Sequence, residues 1–385
     1  MSQSLEDFAR GKLAALEQQQ LRRKLYETDR LEGAIAIRDG KRLTSFACND
    51  YLNLSQHPKI KRAAIEATER YGVGSGASRL VTGNHPLFRE LETQLAQLKG
   101  TDDACVFGSG YLANLGIIPT LIGPDDLLIA DELSHACIMA GGTLTRGQVH
   151  QFRHNDVVHV KELLSRHRSE HPRAMVVTDG VFSMDGDLAP ITELSAVCNE
   201  YDAWFMTDDA HGIGVVGDGR GSCFVDGTKV DVPLQMGTLS KAIGAYGGYL
   251  CAAQPIIDFM RTRARTFIYS TGLQPGAVAA SIAALDLIAR RPDYAGLPLR
   301  KARLFCELLE LPRAESCIVP VILGDASRTL SASKQLEEEG FLVTAIRPPT
   351  VPDNTARLRF TFTASHEDTE IRRLAEIVRT RIMAS

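Results

Sequence analysis

Two carboxylates and an imidazole follow a short apolar run near the middle of the chain. Residues 203–206 lead into Thr207, Asp208, Asp209 and His211. Ligands bind at the carboxyl ends of strands in open α/β sheets. The pattern therefore indicates a binding or catalytic site. The same residue types also cap turns, so from spacing alone both interpretations stand.

A lysine in unusual surroundings marks a second candidate segment. Lys241 lies among glycines and small residues, and it is the only charged residue between Asp231 and Asp258. Lysine is most often a solvated surface charge. In apolar surroundings its pKa falls and the free amine can form a Schiff base. Lys241 is therefore a candidate nucleophile toward a carbonyl group.

A third segment, 106–114, runs from a predicted strand through the turn Gly108-Ser109-Gly110 into a predicted helix. Unpaired backbone N–H groups at a helix start, together with the helix dipole, suit a phosphate group. The alternative is an ordinary glycine-containing turn between a strand and a helix. Both interpretations remain open at this point.

Glycines at 212, 214 and 217 match the G-x-G-x-x-G pattern of dinucleotide-binding proteins. That pattern requires a helix to open at its end. Residues 218–221, which are helix-breaking, follow instead. A nicotinamide-dependent oxidoreductase is therefore the disfavoured alternative from another enzyme class.

Composition restricts the possible partners. The chain has 385 residues, 43 Lys+Arg against 47 Asp+Glu, a net charge of −4 and 44% hydrophobic residues. We expect a globular protein without nucleic-acid or membrane partners, because neither a basic excess nor a long apolar span is present. Eight scattered cysteines lie mostly in apolar runs and form no C-x-x-C pair. This pattern predicts free buried thiols and a cytoplasmic protein without a metal site.

Short apolar runs alternate with helical patterns from about residue 103 onward. Alternation of this kind predicts an α/β fold with a mostly parallel central sheet and helices on both faces. We expect an N-terminal helix over about 5–26 and a final helix over about 366–383. Three segments are predicted: an N-terminal helix and arm (1–48), a large α/β domain (49–290) and a small C-terminal α+β domain (291–385). The predicted strands are 104–107, 127–130, 149–152, 174–178, 204–207, 234–236 and 248–252.

Six segments spread along nearly the whole chain resemble, in order, the α-oxoamine synthases. These are fold-type I pyridoxal-phosphate enzymes that join an amino acid to an acyl-CoA thioester with loss of CO2. Cys48 and Asn53 depart from the residues expected in the first segment, which are serine and glycine. The six segments are Asn49-Asp-Tyr-Leu, Gly74-Ser-Gly-Ala-Ser-Arg79, Ser134-His135-Ala, Asp179-Gly-Val-Phe-Ser183-Met-Asp-Gly186, Asp208-Asp-Ala-His211-Gly and Gly237-Thr-Leu-Ser-Lys241.

The resemblance implies a set of residues that hold pyridoxal phosphate. Lys241 is expected to bond to the cofactor's aldehyde and Asp208 to pair with its ring nitrogen. His135 is expected to stack on the ring and to act in catalysis with His211. The other residues expected around the cofactor are Ser183 and His211 near the ring hydroxyl, Gly110, Tyr111 and Thr238 at the phosphate, and Ser270 and Thr271 reaching a phosphate across a homodimer interface.

The resemblance also implies the substrates. Some family members use L-alanine and a pimeloyl thioester carried by CoA or acyl carrier protein. This chain resembles them in residues 344–352, which include Arg347 and Thr350, and in residues 356–359. Members that use glycine or serine are the nearest alternative, and a pyridoxal-phosphate-binding protein without catalytic activity is another. The residues expected at the substrates are Arg359 at the amino-acid carboxylate, Asn49 and His135 beside it, and Thr350 with Arg22 (or its neighbour Arg23) at the acyl chain.

Overall fold

A computed structural model describes residues 4–19 and 21–384. Fourteen α-helices and sixteen strands are present in these residues, with short 3-10 turns at Leu54–Gln56 and Arg168–Glu170. The helices are α1 (Leu5–Gln18), α2 (Pro58–Tyr71), α3 (Leu87–Lys99), α4 (Gly110–Leu121), α5 (Ala136–Leu144), α6 (Val157–His167), α7 (Ile191–Glu200), α8 (Gln254–Arg263), α9 (Arg265–Ile268), α10 (Pro275–Arg290), α11 (Pro292–Ala295), α12 (Leu297–Leu308), α13 (Ala326–Glu338) and α14 (Asp368–Ile377). The strands are β1 (Thr28–Arg30), β2 (Ile35–Arg38), β3 (Lys41–Ser45), β4 (Asp103–Phe107), β5 (Leu127–Asp131), β6 (Gln148–Phe152), β7 (Ala174–Asp179), β8 (Trp204–Asp208), β9 (Phe224–Val225), β10 (Thr228–Lys229), β11 (Leu234–Thr238), β12 (Gly248–Ala252), β13 (Ile318–Gly324), β14 (Phe341–Leu342), β15 (Thr344–Ile346) and β16 (Ala356–Thr361).

A seven-stranded sheet forms the centre of the fold, in the order β4-β12-β11-β8-β7-β5-β6. Strand β12 is antiparallel to both of its neighbours, and the other pairs are parallel. Strands β4, β5, β7, β11 and β12 are buried along their whole length, and β8 is buried except at the partly buried Trp204. Helices cover both faces, as an inner parallel sheet requires. The predicted mostly parallel sheet and its strands are confirmed.

The N-terminal helix is shorter than predicted. Helix α1 ends at Gln18, about eight residues before the expected end, and Gln20 lies outside the described residues. No residue of α1 is buried. The Leu21 N–H donates to Leu16 O at 2.8 Å, a bond of the kind that closes the last turn of a helix, so the helix ends although the helical pattern continues.

The C-terminal residues build the predicted α+β arrangement, in which β13, β16 and β15 form an antiparallel sheet. The final helix begins at Asp368 and continues beyond Ile377 as a π-helical segment, Val378–Met383. Segments distant in sequence also meet here, because β14 pairs with β3 and Phe46 lies in the same core as Phe360. The division at residues 48/49 and 290/291 stays a prediction.

No helix in the described ranges, 4–19 and 21–384, is long and apolar enough to cross a membrane.

The glycine-rich segment after β8 wraps around a buried ion pair. Lys99 Nζ lies 2.7 Å from Asp209 Oδ2, and neither side chain has any exposed surface. Asp209 also accepts the backbone N–H of Ser222. A Cβ added at Gly212 would lie 1.9 Å from Asp209 Oδ1, so only glycine fits there. These glycines therefore form turns around a carboxylate and do not begin a nucleotide-binding helix.

We predict that Lys99→Met lowers the free energy of unfolding by about 3–5 kcal/mol, because it leaves Asp209 buried without a counter-charge. Adding Asp209→Leu should recover part of that loss, since no lone charge then remains. Lys161→Met, which removes a half-exposed pair with Glu200, should have no measurable effect. Denaturant unfolding followed by circular dichroism measures all three. Unchanged stability of the single variant would contradict the prediction.

Candidate active site

Three neighbouring strands deliver side chains to one edge of the sheet. Asp208 at the end of β8 lies in register with Asp179 at the end of β7 and with Met236 on β11. Strand β11 then continues to Thr238, three residues before Lys241. Parallel strands end at the same edge, so residues about 30 positions apart in sequence meet there. The interpretation of Asp208 as a site residue is favoured over the capping alternative.

Lys241 is partly buried and its amine points at an imidazole. Its Nζ lies 2.6 Å from Nε2 of His211. Burial lowers the pKa of Lys241 to about 8, although the carboxylates of Asp208 and Asp179 oppose the shift. Burial also lowers the pKa of His211 well below its usual value. Lys241 therefore has the neutral imidazole of His211 as its partner, and it can release its proton near neutral pH.

Asp208 is buried, with 4% of its surface exposed, and neutral groups hold it in place. Its Oδ2 accepts a hydrogen bond from Asn114 Nδ2 at 2.7 Å, and its Oδ1 accepts the N–H of Ala210 at 3.0 Å. Sequence reasoning missed Asn114, which stands one helical turn after Gly110. A buried carboxylate with only neutral donors suits a cationic ring N–H. The pKa of the neighbouring Asp179 is raised well above its usual value by burial and by the Asp208 charge.

His135 caps helix α5 and presents its ring to the site. Its backbone N–H donates to the carboxylate of Asp179 at 3.2 Å. Its Nδ1 lies 2.8 Å from the sulfur of Cys137 and also accepts the Cys137 N–H. Asp179 and Cys137 were therefore also missed, although Asp179 begins a matched motif. The ring itself is exposed, as a face that packs on a ligand must be before the ligand binds.

The start of α4 meets the end of β11. Ser109 is the N-cap of α4, and its hydroxyl accepts the N–H of Leu112. A Cβ added at Gly110 would lie 3.3 Å from Thr238 Cβ, so these two residues are adjacent. The Thr238 hydroxyl also bonds to Ser240 Oγ at 2.8 Å. The first N–H groups of a helix have no partner within it, so this end of the site suits a phosphate group.

Arg359 reaches the site from the small C-terminal sheet. It is 5% exposed, and its Nη1 donates to Asn49 Oδ1 at 3.2 Å. Its Nε donates to the carbonyl oxygen of Ser183. No carboxylate partner of Arg359 occurs in the described part of the chain. A buried guanidinium held only by neutral oxygens suits a carboxylate ligand. The structure thus joins three residues that sequence reasoning expected near the substrate and cofactor.

The departure at Asn53 has a backbone explanation. Asn53 has φ 52°, in the left-handed region that favours glycine. Asparagine tolerates this conformation better than most residues. Its side chain also bonds to Gly33 O and to Ser365 N. Asparagine therefore suits the position at which glycine is expected.

Two groups of predicted residues lie apart from Lys241. Arg22 and Thr350 line one cavity of about 1180 Å³, together with Arg23 and Arg347, and Arg22 is paired with Glu17 at 3.1 Å. Neither Lys241 nor Arg359 lines this cavity. Ser270 and Thr271 border a small crevice at Gly108, next to the turn that begins α4. Their reach into a partner's site stays a prediction.

The loop that carries Ser183 is held by a charged histidine. Burial lowers the pKa of His154, but hydrogen bonds to Asp131 and Asp187 outweigh it and raise the pKa to about 10. The Nε2–Asp187 distance is 2.7 Å. Asn155 donates to the same carboxylate. His154 is therefore protonated at neutral pH and ties the loop to β5.

We predict that His154→Gln lowers the thermal unfolding midpoint most below about pH 6.5, where the wild-type contribution is complete. A raised folded-state pKa means that this contribution is lost as the pH rises toward about 10. The difference in midpoint between variant and wild type should therefore shrink over that range. A constant difference for His154→Gln would contradict the prediction.

The residues fit pyridoxal phosphate on their own chemistry. Lys241 offers an amine of lowered pKa to an aldehyde, Asp208 a buried carboxylate to a ring N–H, and Gly110 a helix start to a phosphate. Two polar atoms near these groups, Asn114 Oδ1 and Ser134 Oγ, are buried without a hydrogen-bond partner among the described residues. Orphaned polar atoms at such a position indicate a missing ligand or water.

Comparison with known proteins agrees with this assignment. Residues 41–378 match the family described as aminotransferase class I and II. A relative in Parvibaculum lavamentivorans is 64% identical over 99% of this chain and 98% of its own, and has the provisional name 8-amino-7-oxononanoate synthase. A relative in Beijerinckia indica subsp. indica, 57% identical over 97% of each chain, bears that name without qualification. The structure of a serine palmitoyltransferase variant from S. paucimobilis with bound PLP–myriocin aldimine superposes with a TM-score of 0.91, at 28% identity over 98% of each chain.

Proposed function

The chain belongs to the class I and II aminotransferase family, and we propose that it acts as an 8-amino-7-oxononanoate synthase in biotin biosynthesis. The reaction joins L-alanine to a pimeloyl thioester and gives 8-amino-7-oxononanoate, CO2 and the free thiol of CoA or acyl carrier protein. The observation that carries the mechanism is the contact between the partly buried Lys241 and the buried His211, together with the buried Asp208 and Arg359.

Pyridoxal phosphate, when bound, supplies a conjugated ring that accepts the electron pair left at the α-carbon of the amino acid. Lys241 would hold its aldehyde, Asp208 its ring nitrogen, and Gly110, Tyr111 and Thr238 its phosphate. His135 would pack on the ring, and Ser183 and His211 would lie near the ring hydroxyl.

Lys241 also serves as the proton-transfer group. The free amine of Lys241 would take the α-proton of the bound amino acid, and a pKa of about 8 suits a general base near neutral pH. Arg359 holds the alanine carboxylate, and the charge-assisted bonds orient the α-carbon. Asn49 is hydrogen-bonded to Arg359 and so orients the guanidinium.

The acyl chain belongs in the cavity lined by Arg22 and Thr350. A pimeloyl chain ends in a carboxylate, and Arg22, Arg23 and Arg347 place cationic groups at that cavity. The alternative is that this chain uses glycine or serine as the amino-acid donor, as other family members do. Relatives that are 57% and 64% identical to this chain carry the name 8-amino-7-oxononanoate synthase, one of them provisionally, and this name supports the proposal of alanine as the donor.

A homodimer with shared sites follows from the same proposal. Apolar and aromatic side chains are exposed beside the phosphate end, including Tyr269 at 74% and Tyr111 at 49%. Ser270 and Thr271 adjoin Tyr269, so a second copy covering this face would bring them to its own phosphate. Eight free cysteines support a reducing location such as the cytoplasm.

We predict that the purified protein, reconstituted with pyridoxal phosphate, changes its absorbance on addition of L-alanine but much less with glycine or serine. Adding pimeloyl-CoA or pimeloyl acyl carrier protein should release CO2 and form 8-amino-7-oxononanoate, detected by mass spectrometry. Lys241→Ala should abolish turnover while the circular dichroism spectrum stays unchanged. Lys334→Ala, on the exposed side of α13, is the matched control and should keep full activity. Turnover by Lys241→Ala, or a response to glycine alone, would contradict the proposal.

We predict that two impaired variants complement each other. One chain carries Lys241→Ala, and the other carries Ser270→Ala with Thr271→Ala. If Ser270 and Thr271 serve the partner's site, equal co-expression gives heterodimers with one intact site, and activity returns to about a quarter of wild type at limiting cofactor. If these residues serve their own chain, no intact site forms and the activity stays at the level of the separate variants.

A further inference from the structure

Tyr51 lies at the junction of two parts of the site and has no role in the mechanism above. Its side chain has no exposed surface. Its hydroxyl lies 2.7 Å from His211 Nδ1, 3.2 Å from Asn49 Oδ1 and 3.4 Å from Arg359 Nη2. A buried phenol with three polar neighbours is more than a packing residue, because phenylalanine would fill the same space without any of these bonds.

The residues at the two ends of this network determine the direction of its hydrogen bonds. Arg359 and Lys241 can only donate as cations. Asn49 Oδ1 can only accept, so the single hydroxyl proton of Tyr51 goes to Asn49. The Tyr51 oxygen then accepts from Arg359 and from His211 Nδ1–H. That tautomer leaves Nε2 of His211 as an acceptor, which is what the ammonium of Lys241 needs at 2.6 Å.

We propose that Tyr51 is a positioning residue that couples a carboxylate held by Arg359 to the proton on Lys241 through His211. This inference rests on the proposed function, because it assigns Arg359 to the amino-acid carboxylate. When a carboxylate takes the Nη donors of Arg359, the Tyr51 oxygen keeps His211 Nδ1–H as its remaining donor. That bond then strengthens, and a more polarised imidazole holds the proton of Lys241 more firmly at Nε2. The expected result is a higher proton affinity of Lys241 when the carboxylate site is filled.

Other charged groups also affect the proton affinity of Lys241. Asp208 and Asp179 face it with carboxylates, and Cys137 and His135 lie close by. Arg359 itself lowers the pKa of Lys241 through its charge. A bound carboxylate cancels part of that charge and raises the proton affinity of Lys241 without any help from Tyr51. The contribution of Tyr51 is therefore the difference between the wild type and a variant that lacks only the hydroxyl.

The test uses the cofactor-free full-length chain and propionate, a carboxylate without an amino group. Trace acetylation with acetic anhydride, resolved by mass spectrometry of the peptide that carries Lys241, gives the pH midpoint of Lys241 reactivity. In the wild type, saturating propionate should raise the proton affinity of Lys241 about fivefold or more, in the ordinary range of coupling between sites. In Tyr51→Phe the increase should be less than half as large in pH units. Equal shifts in both proteins would overturn the coupling.

Two further variants keep the result interpretable. Tyr294→Phe removes a hydroxyl that donates to Leu52 O at 3.0 Å. Leu52 follows Tyr51 in the chain, but Tyr294 lies outside the network, so this variant should respond like the wild type. If Tyr51→Phe does not fold, Asn49→Ala removes the acceptor that orients the Tyr51 hydroxyl and should also halve the shift. A full shift in Asn49→Ala would overturn the proposal.

The outcome is independent of catalysis. A wild-type chain without any propionate effect would contradict both the coupling and the role of Arg359 in the proposed function. If propionate raises the proton affinity of Lys241 equally in the wild type and in Tyr51→Phe, the coupling through Tyr51 is overturned but the role of Arg359 is not. The turnover assay with alanine and the pimeloyl thioester tests the proposed function separately.

Discussion

The buried ion pair between Lys99 and Asp209 is the constraint on which the arrangement of the site depends. Asp208 and Asp209 are consecutive, and their side chains lie in different environments: Asp209 meets a lysine from α3, whereas Asp208 meets the amide of Asn114. The turns around Asp209 include glycines where a side chain would collide with its carboxylate. These contacts restrain the segment around Asp209. They therefore also restrain the strand end that carries Asp208 and the turn that carries His211 relative to the sheet.

Burial determines the chemistry available at this strand edge. A carboxylate, an arginine and a lysine are each removed from most of the solvent, yet their nearest partners are neutral amides, carbonyls and imidazole. An ion without a counter-ion is costly to bury. In the proposed function, a cofactor with a ring N–H and an aldehyde, and a substrate with a carboxylate, would supply the missing partners. Binding of both would then stabilise the fold.

Arg359 shows how the C-terminal sheet contributes to a site built mainly by the large sheet. Strand β16 is buried along its length and carries Arg357 and Arg359. These two arginines donate hydrogen bonds to backbone carbonyls of the loop 183–186. His154 holds a neighbouring part of that loop through Asp187. Asn49 and Tyr51, in the segment that follows β3, complete the connection. The side chains proposed to hold the substrate carboxylate, the cofactor and the transferred proton are thus in contact through segments far apart in sequence.

The sequence by itself determined the elements and the local chemistry. Period and composition predicted the seven strands of the main sheet, because strands of an inner sheet are mostly short apolar runs. The matched motifs predicted Lys241, Asp208 and His211 as site residues, and Lys241 and His211 lie in contact in the structure. The local pattern overestimated the length of the N-terminal helix, since the pattern continues past the hydrogen bonds that end the helix. Only the tertiary structure decided which of the adjacent aspartates pairs with Lys99, that Asn114 orients Asp208, and that Tyr51 joins His211 to Arg359. These contacts connect residues 94 to 308 positions apart, and no local periodicity carries information over such distances.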